Sequence, residues 1–499
     1  MTGLLFQQYR LGFVLVPVFV FTVAFFSHCA AAQRSKKTDQ TQRPHIVFIL
    51  ADDMGYGDLQ SFNERSRIST PHLDQLARQG MRFTDAHAPG PLCHMSRYGL
   101  MTGRYPFRVN VGVWPRNPLI QKGEVTLPGM LQAQGYRTAM IGKWHLGFDE
   151  SRQDYSQPMP GGPVDHGFDS FFGIRASTDI PPYFYIRDDQ AVIPPTQEIA
   201  ANQTEGWSPI QGEFWRAGKI APDMKLSEVL PTFTREAVKT IRDAASESSQ
   251  PLFLYLAYPS PHTPWLPRDT FRGKSAVGLY GDFMMDVDDQ IGQVLAALSE
   301  TGMAEETLLV FTSDNGPCWY EEDAIGWQHD SAGPFRGMKS DVWEAGHRMP
   351  MIIRWPNRIA ADSVSDQLVC FTDFMATFAE LLGESLPTSA SPDSESFLSC
   401  LLPDRESSDE RRTELVIRAG SVKGMHMIRS GDWKLINRLG SGGFTRPNQI
   451  TPTPAGPPGQ LYNLKDDPGE TTNLYLQYPE IVVRLQERRD QIVGPNGFK

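Results

Sequence analysis

Five short apolar runs, separated by helical patterns, constrain the fold of this chain most strongly. They cover residues 45–51, 138–142, 252–257, 307–312 and 350–355. Runs of this length, rich in Val, Ile and Leu, are typical of strands buried on both faces of a sheet. The helical patterns between them cover residues 70–80, 127–134 and 283–298. Strands that alternate with helices predict an α/β layered fold, in which loops at the carboxyl ends of strands hold ligands.

The last part of the chain has a different pattern. Residues 383–412 are rich in Ser, Pro, Asp and Glu, which predicts a surface connection. Beyond them, two strand-like segments and a helix-like segment over 480–493 predict a small antiparallel sheet with a helix. We therefore expect a large N-terminal domain over 44–382 and a smaller α+β subdomain over 413–499.

The N-terminus predicts export. Arg10 precedes an apolar run over 11–26, and small residues follow with a cleavage position after Ala32. This is the pattern of a secretory signal over residues 1–32. The alternative is a single membrane anchor, but the run is short for a bilayer span and contains Pro17. The sequence thus predicts a periplasmic or secreted protein (lysosomal-type or extracellular in a eukaryote), with no stable membrane span after cleavage.

Charge and cysteine content exclude some classes of protein. The net charge is −11, whereas a nucleic-acid-binding protein normally carries a basic face. An anionic substrate stays compatible, because a local group of cations can reverse the field inside a cleft. The chain has five cysteines and no Cys-x-x-Cys pair. No disulfide framework is implied, so each cysteine is assessed in its own context.

Acidic and amide side chains follow two of the predicted strands. Asp52 and Asp53 come directly after the first run, and Asp314 and Asn315 come shortly after the fourth. Carboxylate and amide oxygens are the ligands that Ca²⁺ prefers. The alternative is that these residues only form turns, in which Asp and Asn are common. Their position after two buried strands favours one shared cation site, since strand ends converge in a parallel sheet.

Cys93 lies four residues before Arg97, ahead of a helix-like stretch. A free cysteine is usually buried and inert, which is the alternative here. The segment resembles the formylglycine motif of the type I sulfatases of the arylsulfatase A and N-acetylgalactosamine-6-sulfatase kind, Cys-x-Pro/Ala-Ser-Arg followed by Leu-x-Thr-Gly-Arg. The matching residues are Cys93, Ser96, Arg97, Leu100, Thr102, Gly103 and Arg104. Met95 departs from the pattern, where the family has Pro or Ala.

Other blocks match the same family in order over residues 44–470. They are Asp52, Asp53 and Asp58; the Gly-Lys-Trp-His-Leu-Gly block over 142–147, with Lys143 and His145; His262 within 259–264; and the Gly-x-Lys block over 337–346, with Lys339. Ala345 replaces a glycine of that last block. Taken alone, each lysine is more often a surface charge and each histidine a core or loop residue. Their joint order makes the resemblance specific.

The resemblance implies an alkaline-phosphatase-like α/β fold, with a large mixed sheet flanked by helices, and the hydrolysis of sulfate esters. It implies that a formylglycine-generating enzyme converts Cys93 to formylglycine, whose hydrated gem-diol attacks sulfur and then releases sulfate. It also implies one Ca²⁺ per chain. The implied calcium ligands are Asp52, Asp53, Asp314, Asn315 and position 93.

Roles for the basic residues also follow from the resemblance. His262 and Lys339 would donate to the leaving oxygen, and His145 would deprotonate the diol. Arg97 would hold the nucleophile, and Lys143 would neutralise charge on the sulfate.

A sulfated oligo- or polysaccharide is the expected substrate, although a small sulfate ester fits the same chemistry. Aromatic residues in predicted loops favour it, because aromatic faces stack on sugar rings; they are Trp114, Tyr183, Phe184, Tyr185, Trp319 and Trp327. The alternative is that these side chains pack in the core. Two other functions stay open: a sulfated-glycan-binding protein in which Cys93 is not converted, suggested by Met95, and a phosphate or phosphonate ester hydrolase.

Overall fold

An eleven-stranded mixed sheet forms the centre of the protein. The structure is a computed structural model and describes residues 43–112, 117–150, 154–208, 210–247, 249–386, 390–403 and 411–494. The strands of this sheet and of two smaller sheets are, in chain order, β1 (His45–Asp52), β2 (Met81–His87), β3 (Arg137–Lys143), β4 (Ser170–Ile174), β5 (Ile186–Arg187), β6 (Gln190–Ala191), β7 (Gln197–Ile199), β8 (Gly218–Ile220), β9 (Leu252–Pro261), β10 (Thr307–Ser313), β11 (Arg348–Arg354), β12 (Ser363–Ser365), β13 (Val369–Cys370), β14 (Glu414–Arg418), β15 (His426–Ser430), β16 (Trp433–Ile436) and β17 (Gln460–Asn463).

Helices flank this sheet and cover its apolar faces. They are α1 (Pro71–Gln79), α2 (Cys93–Thr102), α3 (Leu127–Ala133), α4 (Val229–Glu247), α5 (Gly278–Glu300), α6 (Glu321–Trp327), α7 (Glu344–His347), α8 (Phe374–Leu382), α9 (Leu398–Leu401) and α10 (Pro479–Val493). On one side α8 packs on the central strand β1, where the Phe374 and Phe48 rings meet edge to face at 4.9 Å. Helix α4 packs on β9, where Thr234 Oγ1 and Tyr258 Oη lie 2.8 Å apart.

The strand order of the large sheet is β12-β2-β11-β10-β1-β9-β3-β4-β5-β6, with β13 beside β2. The four central strands β10, β1, β9 and β3 are parallel, so their carboxyl ends lie at one edge. Strand β11 runs antiparallel to both of its neighbours. The predicted α/β fold with a mixed sheet is confirmed, although the run over 350–355 does not belong to a parallel pair.

The small C-terminal sheet has the antiparallel order β14-β15-β16-β17, and α10 packs on it through Val482 and Leu485. This confirms the predicted C-terminal sheet with a helix. The proposed domain boundaries at residues 382 and 412 stay predictions. The predicted signal, residues 1–32, lies outside the described residues, as does Trp114. Where the structure describes the chain, none of its helices combines the length and apolarity needed to cross a bilayer.

Candidate active site

Predicted site residues from four strands meet at the carboxyl edge of the large sheet. Asp52 ends β1, Lys143 ends β3, His262 follows β9 and Asp314 follows β10. These strands are neighbours in the sheet, so residues far apart in sequence lie side by side. This edge is where open α/β sheets hold their ligands.

Cys93 lies at the same edge, as the first residue of α2. Its side chain is buried, and Sγ donates to Asp52 Oδ1 at 3.3 Å. Unpaired backbone N–H groups and the helix dipole favour negative charge at this end of a helix. Burial first, and then Asp314 and Asp52, raise the pKa of the Cys93 thiol. An unmodified thiol is therefore held protonated and is a weak nucleophile.

Three buried carboxylates face three buried cations around Cys93; we call these six residues the active-site charge cluster. Lys143 Nζ lies 2.5 Å from Asp52 Oδ2, and Lys339 Nζ donates to Asp53 Oδ2 at 2.7 Å. Arg97 donates from Nε to Asp314 Oδ2 at 3.0 Å and from Nη2 to the same oxygen at 2.8 Å. The members are Asp52, Asp53, Asp314, Arg97, Lys143 and Lys339.

The donor set of this cluster fits a hard divalent cation. Asn315 Nδ2 donates to Asp53 Oδ1 at 2.6 Å, while Asn315 Oδ1 is buried and has no hydrogen-bond partner among the described residues. Ligand atoms of Asp52, Asp53, Cys93 and His262 all lie within 4.8 Å of one another. Carboxylate and amide oxygens that converge in this way are typical of Ca²⁺ sites.

The pKa values of the carboxylates show the repulsion between them. Burial first, and then Asp52, raise the pKa of Asp314 to about 6. Burial also raises the pKa of Asp53, against the opposing charge of Lys339. Burial acts in the same direction on Asp52, but the neighbouring cations, Lys143 first, hold its pKa well below its usual range. A cation among these oxygens would relieve that repulsion.

Two histidines flank the cluster. His262 Nε2 lies 3.6 Å from Asp53 Oδ2, and its Nδ1 lies 2.8 Å from the Thr263 carbonyl oxygen. Burial first, and then Lys339, lower the pKa of His262 to about 4. Burial and the charge of Lys143 lower the pKa of His145 well below its ordinary value, which favours the neutral imidazole. The structure thus brings the predicted catalytic and cation-binding residues to one edge of the sheet.

Comparison with known proteins decides the class of this site. The profile of the sulfatase family matches residues 44–384. The chain belongs to the sulfatase family. An N-acetylgalactosamine-6-O-sulfatase of Bacteroides thetaiotaomicron is 31% identical to this sulfatase, over 94% of this chain and 97% of its own. Human arylsulfatase A is 32% identical, over 86% and 83% of the two chains.

Solved structures agree with this assignment. A protein solved in work on the metabolism of multiple glycosaminoglycans by Bacteroides thetaiotaomicron superimposes on this sulfatase with a TM-score of 0.78. It is 30% identical, and the match covers 91% of this chain and 99% of that chain. These comparisons confirm the predicted family and the predicted activity, the hydrolysis of sulfate esters by an enzyme.

Asp58, which matches the acidic motif of the family, does not join the charge cluster. Its carboxylate is fully buried in a hydrogen-bonded group of its own, with Tyr280 Oη at 2.6 Å, Ser331 Oγ at 2.8 Å and His329 Nε2 at 2.9 Å. It also accepts from the backbone N–H of Gly55 at 2.7 Å. Asp58 therefore holds the loop that follows β1, and with it the orientation of the neighbouring carboxylates.

Most of the aromatic residues expected to stack on sugars are buried in the sulfatase. Tyr183, Phe184 and Tyr185 are at most 7% exposed, and Tyr185 packs on Phe172 with ring centroids 5.4 Å apart. The expectation is wrong for these three residues, because their segment precedes the strand β5 and packs under α4. Trp319 is buried as well, against Tyr280 and Trp265. Trp327 keeps a partly exposed ring, stacked on Trp207 at 6.0 Å.

Two polar residues beside the cluster were missed in the sequence. His94 follows Cys93 directly, is 2% exposed, and lies 5.6 Å from His145 between ring centroids. Asp179 lies with Oδ1 3.9 Å from His262 Nδ1 and forms an ion pair with Arg216. Position next to the nucleophile was a usable signal for His94. No sequence pattern marked Asp179, since a loop brings it to the site.

Proposed function

We propose that this sulfatase hydrolyses a sulfate ester of a carbohydrate, using a formylglycine made from Cys93 and one Ca²⁺ per chain. The observation that carries the proposal is the active-site charge cluster around the first residue of α2. Cys93, three carboxylates, an unpartnered amide oxygen and three cations meet there at the edge that holds ligands in α/β folds.

The charge balance of the cluster supports this substrate. The net charge of three carboxylates and three cations is zero. A divalent cation would bring the sum to +2 in a buried site, which matches an anionic sulfate ester and the further negative charge of its transition state. Without the cation the site would lack the excess positive charge that an anion requires.

Asp52, Asp53, Asp314 and Asn315 would hold the cation, together with position 93, and the cation would polarise the sulfate oxygens. Formylglycine, as its hydrate, supplies two hydroxyl groups, one to attack sulfur and one whose proton loss releases sulfate, where a thiol supplies neither. The raised pKa of the Cys93 thiol supports conversion, because the unmodified side chain is a poor nucleophile in this position.

The other residues of the site supply charge and proton transfer. Arg97, bonded to Asp314, Asp52 and the Lys143 carbonyl, fixes the carboxylates beside the nucleophile. Lys143 and Lys339 would neutralise charge on the sulfate oxygens. His145 would accept the proton of the second hydroxyl. His262, whose pKa of about 4 a bound anionic substrate would raise, would donate a proton, with Lys339, to the leaving oxygen.

The relatives direct the choice of substrate. The Bacteroides relative is an N-acetylgalactosamine-6-O-sulfatase and matches nearly the whole chain, so a 6-O-sulfated N-acetylgalactosamine is the first sugar to test. We also propose that the protein is exported with a signal over 1–32 and is matured by a formylglycine-generating enzyme. We further propose a catalytic domain over 44–382 that is joined through 383–412 to a subdomain over 413–499.

The test combines a mass measurement with an activity measurement on one preparation. The protein is produced with a formylglycine-generating enzyme, and the tryptic peptide Phe83–Arg97 is weighed. We expect the mass to fall by the difference between CH₂SH and CHO, and we expect turnover of 4-nitrophenyl sulfate and of the sulfated sugar. Faster turnover of aryl phosphate or phosphonate would contradict the proposal. Unmodified cysteine with glycan binding and no turnover would favour the binding protein suggested by Met95.

A further inference from the structure

Arg418 is a cation without a partner in an acidic protein. It is the last residue of β14, partly buried, and no hydrogen bond or ion pair joins its side chain to any other residue that the structure describes. Burial lowers the pKa of Arg418, with no carboxylate to oppose it. Arginines are rarely buried unless they are paired, because the desolvated charge costs free energy. Such a guanidinium is suited to bind an anion from outside the protein.

The segment that follows Arg418 packs on two of the loops of the active site, those that carry Cys93 and Lys339. Gly420 N donates to the Ser340 carbonyl at 3.0 Å, and Ser340 follows Lys339 directly. A Cβ at Gly420 would lie 3.0 Å from Leu92, the residue before Cys93. Ser340 N in turn donates to the Pro91 carbonyl at 2.7 Å. The end of β14 therefore adjoins the nucleophile loop and the Lys339 loop.

His94 follows Cys93 directly and also has an unsatisfied polar atom. Its Nε2 atom is buried and has no hydrogen-bond partner within the described parts of the chain. After burial, the charges that lower the pKa of His94 are those of Lys143, Lys339 and Arg418, so the charge of Arg418 acts on this imidazole. A ring nitrogen and a guanidinium that both lack a partner among the described residues, on segments that pack together, can bind one ligand.

We propose that Arg418 and His94 form a second anion subsite beside the sulfate that is hydrolysed, which binds a carboxylate or a second sulfate on the glycan. A guanidinium binds either group with two parallel N–H···O bonds, and a ring N–H can add a third. The proposal rests on the proposed function and narrows it. The preferred substrate would be a polyanionic oligosaccharide, which a protein of net charge −11 can hold only where cations are concentrated.

The test compares substrates with one and two anionic groups in wild type and in Arg418→Gln. One substrate is 4-nitrophenyl sulfate, and the other is a disaccharide of 6-O-sulfated N-acetylgalactosamine and a uronic acid. We expect Arg418→Gln to raise KM for the disaccharide about 10- to 100-fold, as for a lost hydrogen bond to a charged group. The rise for 4-nitrophenyl sulfate should be at least tenfold smaller. Arg418→Lys keeps the charge but not the two parallel N–H groups of the guanidinium, so its KM for the disaccharide should lie between those of wild type and Arg418→Gln.

A matched control distinguishes binding at a specific subsite from the general electrostatic effect of removing one positive charge. Arg438 is exposed at the same end of the C-terminal sheet, so Arg438→Gln removes the same charge. Its effect on KM for the disaccharide should be less than a tenth of that of Arg418→Gln. Equal effects of the two variants would overturn the subsite, as would equal effects of Arg418→Gln on both substrates.

Two modified disaccharides identify the anion. If the uronic carboxylate is bound, reducing it to an alcohol abolishes the penalty of Arg418→Gln. If the pocket accepts a sulfate, adding one to the reduced sugar restores the penalty. A penalty that persists on the reduced sugar without a second sulfate contradicts the proposal. Wild type that hydrolyses neither the aryl nor the sugar sulfate would instead refute the proposed function itself.

Discussion

Two charge clusters with equal numbers of carboxylates and cations lie in this sulfatase, and only one has the properties of a site. The second, which we call the bridging charge cluster, joins the large sheet to the C-terminal sheet through residues of β2, α7, β11, β15, β16 and the loop after β17. It also contains three carboxylates and three cations. The members are Asp85, Glu344, Glu470, Arg348, Arg429 and Lys434.

The two clusters differ in the arrangement of their carboxylates and of the polar groups beside them. In the bridging cluster, Lys434 Nζ lies 2.9 Å from Glu344 and 2.8 Å from Glu470, so a cation separates the carboxylates. The two neighbouring histidines, His87 and His347, satisfy each other through Nδ1 atoms 2.9 Å apart. In the active-site cluster, Arg97 bridges Asp52 and Asp314, but Asp53 follows Asp52 directly with its backbone N 3.4 Å from Asp314 Oδ1. Asn315 Oδ1 beside them has no hydrogen-bond partner among the described residues.

This difference explains why the proximity of ligand atoms alone is a weak criterion for a metal site. His87, Glu344 and His347 also lie close enough together to hold a metal ion. Arg348 and Lys434 are bonded to Glu344, however, and would repel a cation at that position. A carboxylate that is bonded to two cations, as Glu344 is, needs no further ion, whereas Asn315 Oδ1, a buried acceptor without a partner among the described residues, can accept a ligand.

Loss of the nucleophile should give the largest effect and should leave the bridging cluster intact. We expect Cys93→Ala to lower kcat for 4-nitrophenyl sulfate by at least about 10⁴-fold, as for other nucleophile deletions. The melting temperature should change little. Cys400→Ala, which changes a half-buried cysteine near Ser365, is the control and should keep its activity. Substantial activity in Cys93→Ala would place the chemistry elsewhere.

Removal of His262 should depend on the leaving group. Because a proton donor matters most for a poor leaving group, His262→Ala should lower kcat/KM for a sugar sulfate by about 10²- to 10⁴-fold and for an aryl sulfate by much less. Measuring kcat/KM of wild type and His262→Ala with both substrates gives the two losses to be compared. Equal losses would mean that His262 only shapes the loop after β9.

The bridging cluster should respond in stability rather than in turnover. Glu344→Gln leaves Lys434 and Arg348 without one buried counter-charge, so we expect the free energy of unfolding to fall by about 3–5 kcal/mol. Denaturant titration measures this, and kcat of the folded molecules should stay near that of wild type. A large loss of kcat with unchanged stability would reverse the distinction between the two clusters.

Glu470 should give the smallest effect, a pH dependence of stability. Burial raises its pKa from 4.5 to about 7, against the charge of Lys434. The folded state therefore binds this proton more tightly than the unfolded state, and the contribution of Glu470 to stability is lost as pH rises from about 4.5 to about 7. The difference in unfolding free energy between wild type and Glu470→Gln should fall over that range. A difference that is constant with pH would contradict the raised pKa.

The sequence alone predicted the elements whose pattern is local. The runs at β1, β3, β9 and β10 and the residues at their carboxyl ends were found, because buried parallel strands are continuous apolar segments. Strand β2 was missed because Arg82 and Asp85 interrupt its apolar pattern, and α4 was missed as well.

Features that depend on tertiary packing could not be found in this way. The burial of Tyr185 depends in part on Phe233 of α4, which lies far along the chain from it. The lack of a partner at Arg418 is a property of its surroundings and not of its neighbours in the chain. The contrast between the two charge clusters likewise becomes visible only from distances.

The binding of Ca²⁺ to purified, metal-free protein tests the central claim most directly. Isothermal titration should show one site per chain in wild type and in Glu344→Gln, and none in Asp53→Asn. Asn315 Oδ1 lacks a partner among the described residues and lies beside the carboxylate of Asp53, whereas Glu344 is already bonded to Lys434 and Arg348. If wild type binds no Ca²⁺, or if Glu344→Gln loses the site while Asp53→Asn keeps it, the assignment of the two clusters is wrong.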